Sequence, residues 1–395
     1  MRISERTQYI NYFIFILAIL CKGLGDAIFV KANPYGFFNL VKYIILLIGI
    51  FIYAYELKEK KERGYNPIFR KEFNVLVKMI IIIFIISCFY SVYNERFSFR
   101  TVKELIFITI PIVFAYCMIN IFEFYQINIC AKISATIFLL SYFLEIGIGK
   151  LNISMAWSMI KNISLLGGDN DFSKSVFESS YFADPVMALF CFFTYFRETK
   201  WMIVCYIGIL LMNKRVLILF ATIILLIRII PQLKSLFEKR TNRLVKYCLI
   251  IVFIVLPFVV KVMTMPYVEI YIFNRFGINM QDFWMGRDVM VQNLQNAGFE
   301  SYGLGSTFDF YGKLFEIESL KFVFELSVFG WIVIVLSYWK IIDNYLYLMI
   351  VMTYIFVNIN TSTSIMTGAF SWIFYLLLIG CIKYKDNVKI KMCYL

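Results

Sequence analysis

Long apolar stretches separated by short polar breaks run through almost the whole chain, from Tyr9 to Ile382. A helix needs about 20 mostly apolar residues to cross the hydrocarbon core of a membrane. The pattern therefore predicts an all-α polytopic membrane protein with one transmembrane domain over residues 1–395 and no soluble domain before or after it. The predicted spans are residues 9–30, 35–56, 73–93, 102–122, 127–148, 182–197, 201–213, 215–230, 245–264, 319–339, 344–358 and 367–382.

Basic residues between the spans indicate the orientation, because cytoplasmic loops retain Lys and Arg. With twelve spans, two basic loops, the basic C-terminal tail and the N-terminus all lie on the cytoplasmic side. Ten or eleven spans are the alternative, since 201–213 is short for a crossing and Arg96 and Arg100 fall in a predicted external loop. The basic residues behind the orientation are Lys58, Lys60, Lys61, Arg63, Arg70 and Lys71, then Lys234, Lys239, Arg240, Arg243 and Lys246, then Lys383, Lys385, Lys389 and Lys391.

The same order places two longer loops outside, residues 149–181 and residues 265–318. The second is the large external, periplasmic loop between predicted helices nine and ten. It carries seven acidic and three basic residues, the opposite of a cytoplasmic loop. They are Glu269, Asp282, Asp288, Glu300, Asp309, Glu316 and Glu318 against Arg275, Arg287 and Lys313.

Composition excludes a water-soluble fold, because 61% of the residues are hydrophobic and only 16% are charged. The basic residues behind the formal charge of +13 lie mostly in the short loops between spans, so nucleic-acid binding is not expected. Nine cysteines without a CxxC pair, and no histidine, give no zinc-ligand pattern. Neither a metal nor a cofactor is predicted.

One candidate for chemistry is the polar break Asn213, Lys214 and Arg215 between two apolar runs, at a predicted external end. It has two readings. The basic pair could hold a hairpin at the membrane interface by snorkelling. Alternatively, the planar guanidinium could pair two phosphate oxygens of a lipid head group.

The large external loop holds a second candidate, Gly286, Arg287 and Asp288, followed by a Gly-rich turn. The glycines permit a tight turn with free backbone N–H groups, although most such stretches are simple turns. The turn residues are Tyr302, Gly303, Leu304, Gly305 and Ser306.

Acidic residues at the end of this loop continue into the next predicted helix. Glu318, Lys321 and Glu325 share one helix face, and a stabilising charge ladder is the simpler interpretation. Glu325 falls inside the predicted span, where acids are candidates for function, and Lys321 is its expected partner. Glu316 precedes them.

The order of these features resembles the O-antigen polymerase (Wzy) and O-antigen ligase superfamily, over roughly residues 200–335. Ligases of that superfamily show His-Asn/Ser/Gln, nine residues, Gly, two residues and Gly. Here the same frame holds Glu316 and Ile317, nine residues, Ser327, two residues and Gly330, which favours a polymerase over a ligase. The segments that carry the resemblance are LLMNKRVLILF, GRDVMVQNL, SYGLGS and EIESLKFVFELSVFG.

The resemblance implies a GT-C-like, inverting, metal-independent glycosyltransferase that polymerises undecaprenyl-pyrophosphate-linked oligosaccharides at the outer face of a bacterial inner membrane. Its expected partners are that lipid-linked oligosaccharide, membrane lipid and a chain-length regulator. A ligase, or a flippase or transporter of lipid-linked oligosaccharides, is the alternative. Arg215 and Arg287 would stabilise the pyrophosphate, and Glu316 or Glu318 would be the base. The implied substrate-binding residues are Lys214, Asp288, Tyr302, Gly303, Gly305 and Ser306.

Overall fold

In the computed structural model, residues 5–29, 37–147, 180–212, 214–280, 284, 286–361 and 368–385 are described. These residues form helices, and they contain no strand beyond an isolated bridge between Arg240 and Tyr345. The helices are α1 (Glu5–Phe29), α2 (Phe37–Glu62), α3 (Arg70–Tyr93), α4 (Phe99–Ile121), α5 (Phe124–Gly147), α6 (Ser180–Phe196), α7 (Thr199–Leu211), α8 (Arg215–Ile229), a 3-10 helix (Pro231–Phe237), α9 (Arg243–Met263), α10 (Pro266–Phe276), α11 (Arg287–Asn296), α12 (Ser306–Tyr311), α13 (Glu318–Ile341), α14 (Leu346–Thr361) and α15 (Ala369–Lys383).

The prediction of an all-α membrane protein is confirmed. Among the described residues, seven helices are long and apolar enough to cross a membrane, namely α1 to α5, α9 and α13. An eighth span is possible if α8 and the 3-10 helix, which bend by 96°, count as one. The four apolar helices α6, α7, α14 and α15 are shorter. Each predicted span thus coincides with an apolar helix, while the number of crossings stays a prediction.

The chain divides into two compact units. Unit 1 comprises residues 1–73, 110–237 and 368–395. Within it, α1 packs on α2 and α5, and α6 packs on α7, α8 and α15. The side chains of α15 are buried from Ala369 to Ile382, all around the helix. A helix that is apolar on every side belongs inside a membrane protein's helix bundle, so α15 is a core helix of this unit.

Unit 2 comprises residues 74–109 and 238–367, and α13 is its central helix. It packs on α9, α12 and α14. Trp331 donates its indole N–H to the carbonyl oxygen of Phe253 at 3.1 Å. The ring of Phe253 in turn contacts Trp339 and Phe356. Large aromatic side chains therefore join α9, α13 and α14 into one core.

Helix α13 is broken at Ser327, whose φ of 62° and ψ of 178° are not helical. Non-glycine residues rarely adopt this backbone conformation. Three residues later, a Cβ at Gly330 would lie 2.4 Å from the Cβ of Leu326. Both positions therefore favour glycine for steric reasons, although the chain has serine at the first of them.

Contacts within unit 1 join helix ends that the twelve-span order puts on one side. Asn120, near the end of α4, accepts hydrogen bonds from the Tyr65 hydroxyl at 3.2 Å and the Ile68 N–H at 2.8 Å, in the loop after α2. Glu72, at the start of α3, pairs with Lys383 at the end of α15. All of these ends are cytoplasmic in the predicted order.

In unit 2, too, the contacts join helix ends that the twelve-span order puts on the same side. Ser91, in the last turn of α3, donates to the carbonyl oxygen of Tyr302 at 2.7 Å. At the other end Arg240 donates to the hydroxyl of Tyr345 at 3.2 Å. The first contact joins two predicted external segments and the second joins two predicted cytoplasmic ones.

The break in α13 generates a stability prediction. Ser327→Gly should stabilise the protein by about 1–2 kcal/mol, because it relieves the backbone strain, less the entropy that glycine adds to the unfolded chain. Ser337→Gly, in the regular part of the same helix, should instead cost roughly 0.5 kcal/mol. Thermal unfolding of the two purified variants in one detergent measures both. A loss of stability at position 327 as large as that at 337 would contradict the strained backbone.

Candidate functional site

The Gly-rich turn between α11 and α12 is a tightly bonded structure. The N–H of Gly303 donates to the hydroxyl oxygen of Ser301 at 3.0 Å, and the hydroxyl of Ser306 donates to the carbonyl oxygen of Gly303 at 2.8 Å. Gly303 and Gly305 have φ angles of 106° and 86°. Tyr302, Gly303, Gly305 and Ser306 are all buried. The turn predicted from SYGLGS exists, and it is packed rather than open.

This turn packs directly on α3 and α4. Thr101 donates its hydroxyl to the carbonyl oxygen of Leu304 at 2.7 Å, beside the bond from Ser91 to Tyr302. A Cβ at Gly303 would lie 2.8 Å from the Cβ of Ser87, and a Cβ at Gly305 would lie 2.4 Å from the Cγ of Arg100. The glycines are therefore needed for the close approach of the turn to these helices.

Two arginines outside the predicted site contact the same segment. The guanidinium of Arg96 lies 4.5 Å from the ring centroid of Tyr302, and that of Arg100 lies 3.6 Å from the ring centroid of Phe308. Such cation–π contacts are favourable when the cation is partly desolvated. The sequence marked these arginines only as exceptions to the orientation rule. In the structure both arginines instead contact aromatic side chains of the segment 302–308.

Asp309 connects the turn to the start of α4. Its Oδ2 accepts hydrogen bonds from the hydroxyls of Tyr302 at 2.5 Å and Ser98 at 2.6 Å. Burial, together with the hydrogen bond to Asp309, raises the pKa of the Tyr302 hydroxyl. The hydroxyl therefore stays protonated and acts as a donor.

Beneath the turn lies a buried charge cluster of Glu104, Lys321 and Glu325, each at most 3% exposed. Lys321 pairs with Glu104, and its Nζ lies 3.8 Å from Oε2 of Glu325. Arg100 adds a second cation, with its Nε 3.2 Å from Oε1 of Glu104. Sequence spacing identified Lys321 as the partner of Glu325 and missed Glu104, which lies on α4. The sequence signal that could have identified Glu104 is its position inside a predicted span, where an acid is uncommon.

Glu325 also holds the Gly-rich turn in place. Its Oε1 accepts hydrogen bonds from the backbone N–H of Thr307 at 3.0 Å and from the Thr307 hydroxyl at 2.5 Å. The backbone oxygen of Glu325 accepts a further bond from Ser301 at 2.6 Å. One residue of a membrane-spanning helix thus binds both ends of the turn.

Arg287 and Glu316 form an ion pair in the predicted external loop, with 2.8 Å between Nε and Oε2. Arg287 begins α11, directly after Gly286 with its φ of 83°. The two side chains are 22% and 46% exposed. They remain accessible to a ligand, unlike the buried cluster. The structure therefore brings together two of the four predicted catalytic residues.

Two further carboxylates among the predicted site residues are buried. Glu318 is 1% exposed and Asp288 is 3% exposed. Asp288 lies near Glu269 of α10, whose pKa is raised by burial and then by the negative charge of Asp288. A substrate would reach Glu316 more readily than either of these side chains.

Arg215 belongs to unit 1, where it begins α8 with an exposed side chain. Lys214 precedes it in an extended conformation and is half-buried. Asn213 lies outside the described residues, as do residues 148–179 and with them almost all of the predicted external loop 149–181. The other candidate site residues belong to unit 2.

Among the described residues, no group of three or more His, Cys, Asp or Glu side chains could hold a metal ion. Comparison with known proteins gives no match to a family model, to a curated protein or to a solved structure.

The packing of the turn predicts a difference between two glycines. Gly303→Ala and Gly298→Ala should each lose about 1–2 kcal/mol of stability, because both positions have positive φ. Only Gly303→Ala should lose a further 1–3 kcal/mol or so from overpacking against Ser87, since nothing lies within 4 Å of a Cβ at Gly298. Thermal unfolding in detergent compares them. Equal losses would mean that the turn does not lie against α3.

The buried cluster predicts a large effect of removing its lysine. Lys321→Met should cost roughly 3–5 kcal/mol, because it leaves two buried carboxylates without this cation. Lys340→Met, at an exposed position of the same helix, is the matched control and should change little. Adding Glu104→Gln to Lys321→Met should recover part of the loss. If the two single variants unfold at the same temperature, the cluster does not stabilise the fold.

Proposed function

We propose that this protein polymerises lipid-linked oligosaccharides, transferring a growing glycan from a polyprenyl pyrophosphate onto a new lipid-linked repeat unit. The observation that carries the proposal is the accessible ion pair of Arg287 with Glu316. It joins the two segments, GRDVMVQNL and EIESLKFVFELSVFG, in which the superfamily resemblance puts a cation and an acid–base residue. The backbone at Ser327 and Gly330 adds support. The superfamily pattern has glycine at these two positions, and the structure favours glycine at both.

In the proposed reaction a sugar hydroxyl of the acceptor attacks the anomeric carbon of the donor glycan. The bond from that carbon to the pyrophosphate breaks, and polyprenyl pyrophosphate leaves with the bonding electrons. Arg287 would stabilise the charge on the leaving group. The proton of the acceptor hydroxyl would go to the carboxylate of Glu316.

The ion pair suggests an order to these events. While Arg287 is bound to Glu316, the guanidinium occupies one oxygen of the carboxylate. A pyrophosphate that takes over the guanidinium would release Glu316 at the moment the donor is bound. Donor binding would thereby generate the base.

A flippase is the second candidate, and the cluster of Glu104, Lys321 and Glu325 is the observation that favours it. Ionisable residues inside a membrane often mark a transport path. Here, however, Glu325 also binds the Gly-rich turn, and the cluster is almost fully buried. These contacts favour a structural role for the cluster, and the polymerase remains our proposal. A ligase is disfavoured by the glutamate at the position of the ligase histidine.

The test is a gel of surface glycan from the native host after deletion of the gene and complementation with variants. Wild type should restore the polymer ladder, whereas Arg287→Ala should reduce polymer about 10²–10³-fold, since it removes one electrostatic donor. Lys313→Ala, an exposed basic position of the same loop, should restore the ladder and is the control. Glu316→Gln should also lose polymer, because the amide cannot accept the proton.

The unpolymerised product distinguishes the candidates. Loss of the ladder with a single repeat unit still attached to its acceptor lipid is expected of a polymerase. Complete absence of attached glycan in the deletion strain would indicate a ligase or a flippase instead. A ladder that the deletion leaves unchanged would rule out all three.

A further inference from the structure

Helix α10 turns a row of large apolar side chains away from the protein. Five of its eleven residues are large hydrophobic groups that are 56% to 66% exposed. Three of these five are aligned on one side of the helix, because positions three and four residues apart lie on one face. The aligned residues are Tyr267, Ile270 and Tyr271, and Phe273 and Phe276 extend the apolar surface.

The opposite side of α10 is attached to unit 2. Glu269 is buried, and Ile272 packs against the apolar cluster that includes Val260 and Val291. Just before the helix, the carbonyl oxygen of Thr264 accepts a hydrogen bond from the side-chain amide of Gln292 at 2.6 Å. The helix is therefore held in one orientation, and its aromatic face is a defined surface.

This surface continues the lipid-facing side of α9. Only Thr264 and Met265 separate the two helices. From Ile251 onward, the exposed side chains of α9 are aliphatic, as expected of a span in contact with hydrocarbon. They include Ile251, Val252, Val255, Val259 and Val262. The apolar surface thus runs from the span onto α10 without a polar gap.

The dimensions of α10 exclude a second crossing. Eleven residues at about 1.5 Å each span only about 16 Å, roughly half of the hydrocarbon core. Pro266 begins the helix, and Gly277, with a φ of 66°, ends it. The helix is a discrete element at the membrane boundary.

We propose that α10 lies along the membrane surface and that its partner is the phospholipid interface, with Tyr267, Ile270 and Tyr271 inserted between head groups and acyl chains. Tyrosine suits this depth because its ring is apolar and its hydroxyl remains hydrated. Arg275, exposed in the last turn, can reach lipid phosphates. Amphipathic helices of this kind bury their apolar face about 5–10 Å into the interface.

An anchored α10 also positions the external loop. Gln292 belongs to α11, the helix that begins with Arg287, and it bonds directly to the residue pair preceding α10. The lipid contact would therefore hold α11 close to the head groups. The surface position of α10 follows from the exposure of its side chains and from its length, whatever reaction the protein catalyses.

The experiment is thiol labelling in nanodiscs of phosphatidylethanolamine and phosphatidylglycerol that each hold one copy of the protein. Tyr271→Cys and Asn296→Cys place a thiol on α10 and on the exposed end of α11. A charged, membrane-impermeant maleimide should label position 271 at least about tenfold more slowly than position 296, because the interface suppresses thiolate formation and excludes the reagent. Mass spectrometry resolves each site.

Native cysteines supply the reference for lipid exposure. Cys88 on α3 and Cys248 on α9 are exposed in membrane-spanning helices and should stay unlabelled. Labelling at 271 as fast as at 296 would overturn the proposal. A second preparation, with two copies in each disc, serves as a comparison. If position 271 is labelled slowly in these discs but fast in one-copy discs, a second protein covers the face and the proposal is overturned. Circular dichroism of each variant confirms that it is folded.

Discussion

A charge inside a membrane-spanning helix has to be compensated within the protein, and this requirement organises unit 2. Glu325 lies in α13 without access to solvent, and lipid offers a carboxylate no hydrogen bonds. The donors of Thr307 bond one carboxylate oxygen, and Lys321 places a cation 3.8 Å from the other. The segment that follows the Gly-rich turn thus supplies hydrogen bonds to the buried carboxylate of Glu325. These bonds fix the position of the turn above the charge cluster.

The same cluster links elements that are distant in sequence. Glu104 of α4 binds Lys321 of α13, and Arg100 both contacts Glu104 and stacks on Phe308. A continuous set of contacts therefore runs from the core of unit 2 to Phe308 in the segment after the Gly-rich turn. The ion pair of Arg287 and Glu316, by contrast, is partly exposed. A ligand can exchange one of its partners at little cost, whereas it cannot disturb the buried cluster without unpaired charge.

Two kinds of contact hold residues 265–318 in place. Side-chain hydroxyls of α3 and α4 donate hydrogen bonds to the backbone of the Gly-rich turn. An apolar cluster joins Trp284, Leu294 and Phe315 to Val260 of α9 and Leu320 of α13, while α10 presents aromatic side chains outward. The proposed polymerisation would need a fixed arrangement of this kind to align its two substrates.

The sequence by itself determined that this is an all-α membrane protein, and it located each apolar helix, because hydrophobic length is a local property of the chain. It also identified the turn of Gly303 and Gly305, since positive φ leaves a local glycine signal. The tertiary structure alone decided that Glu104 joins Lys321, that Glu316 binds Arg287, and that Arg96 and Arg100 contact Tyr302 and Phe308. Those contacts bridge up to 217 residues, and hydrophobic periodicity holds no information about which polar residues of two distant helices meet.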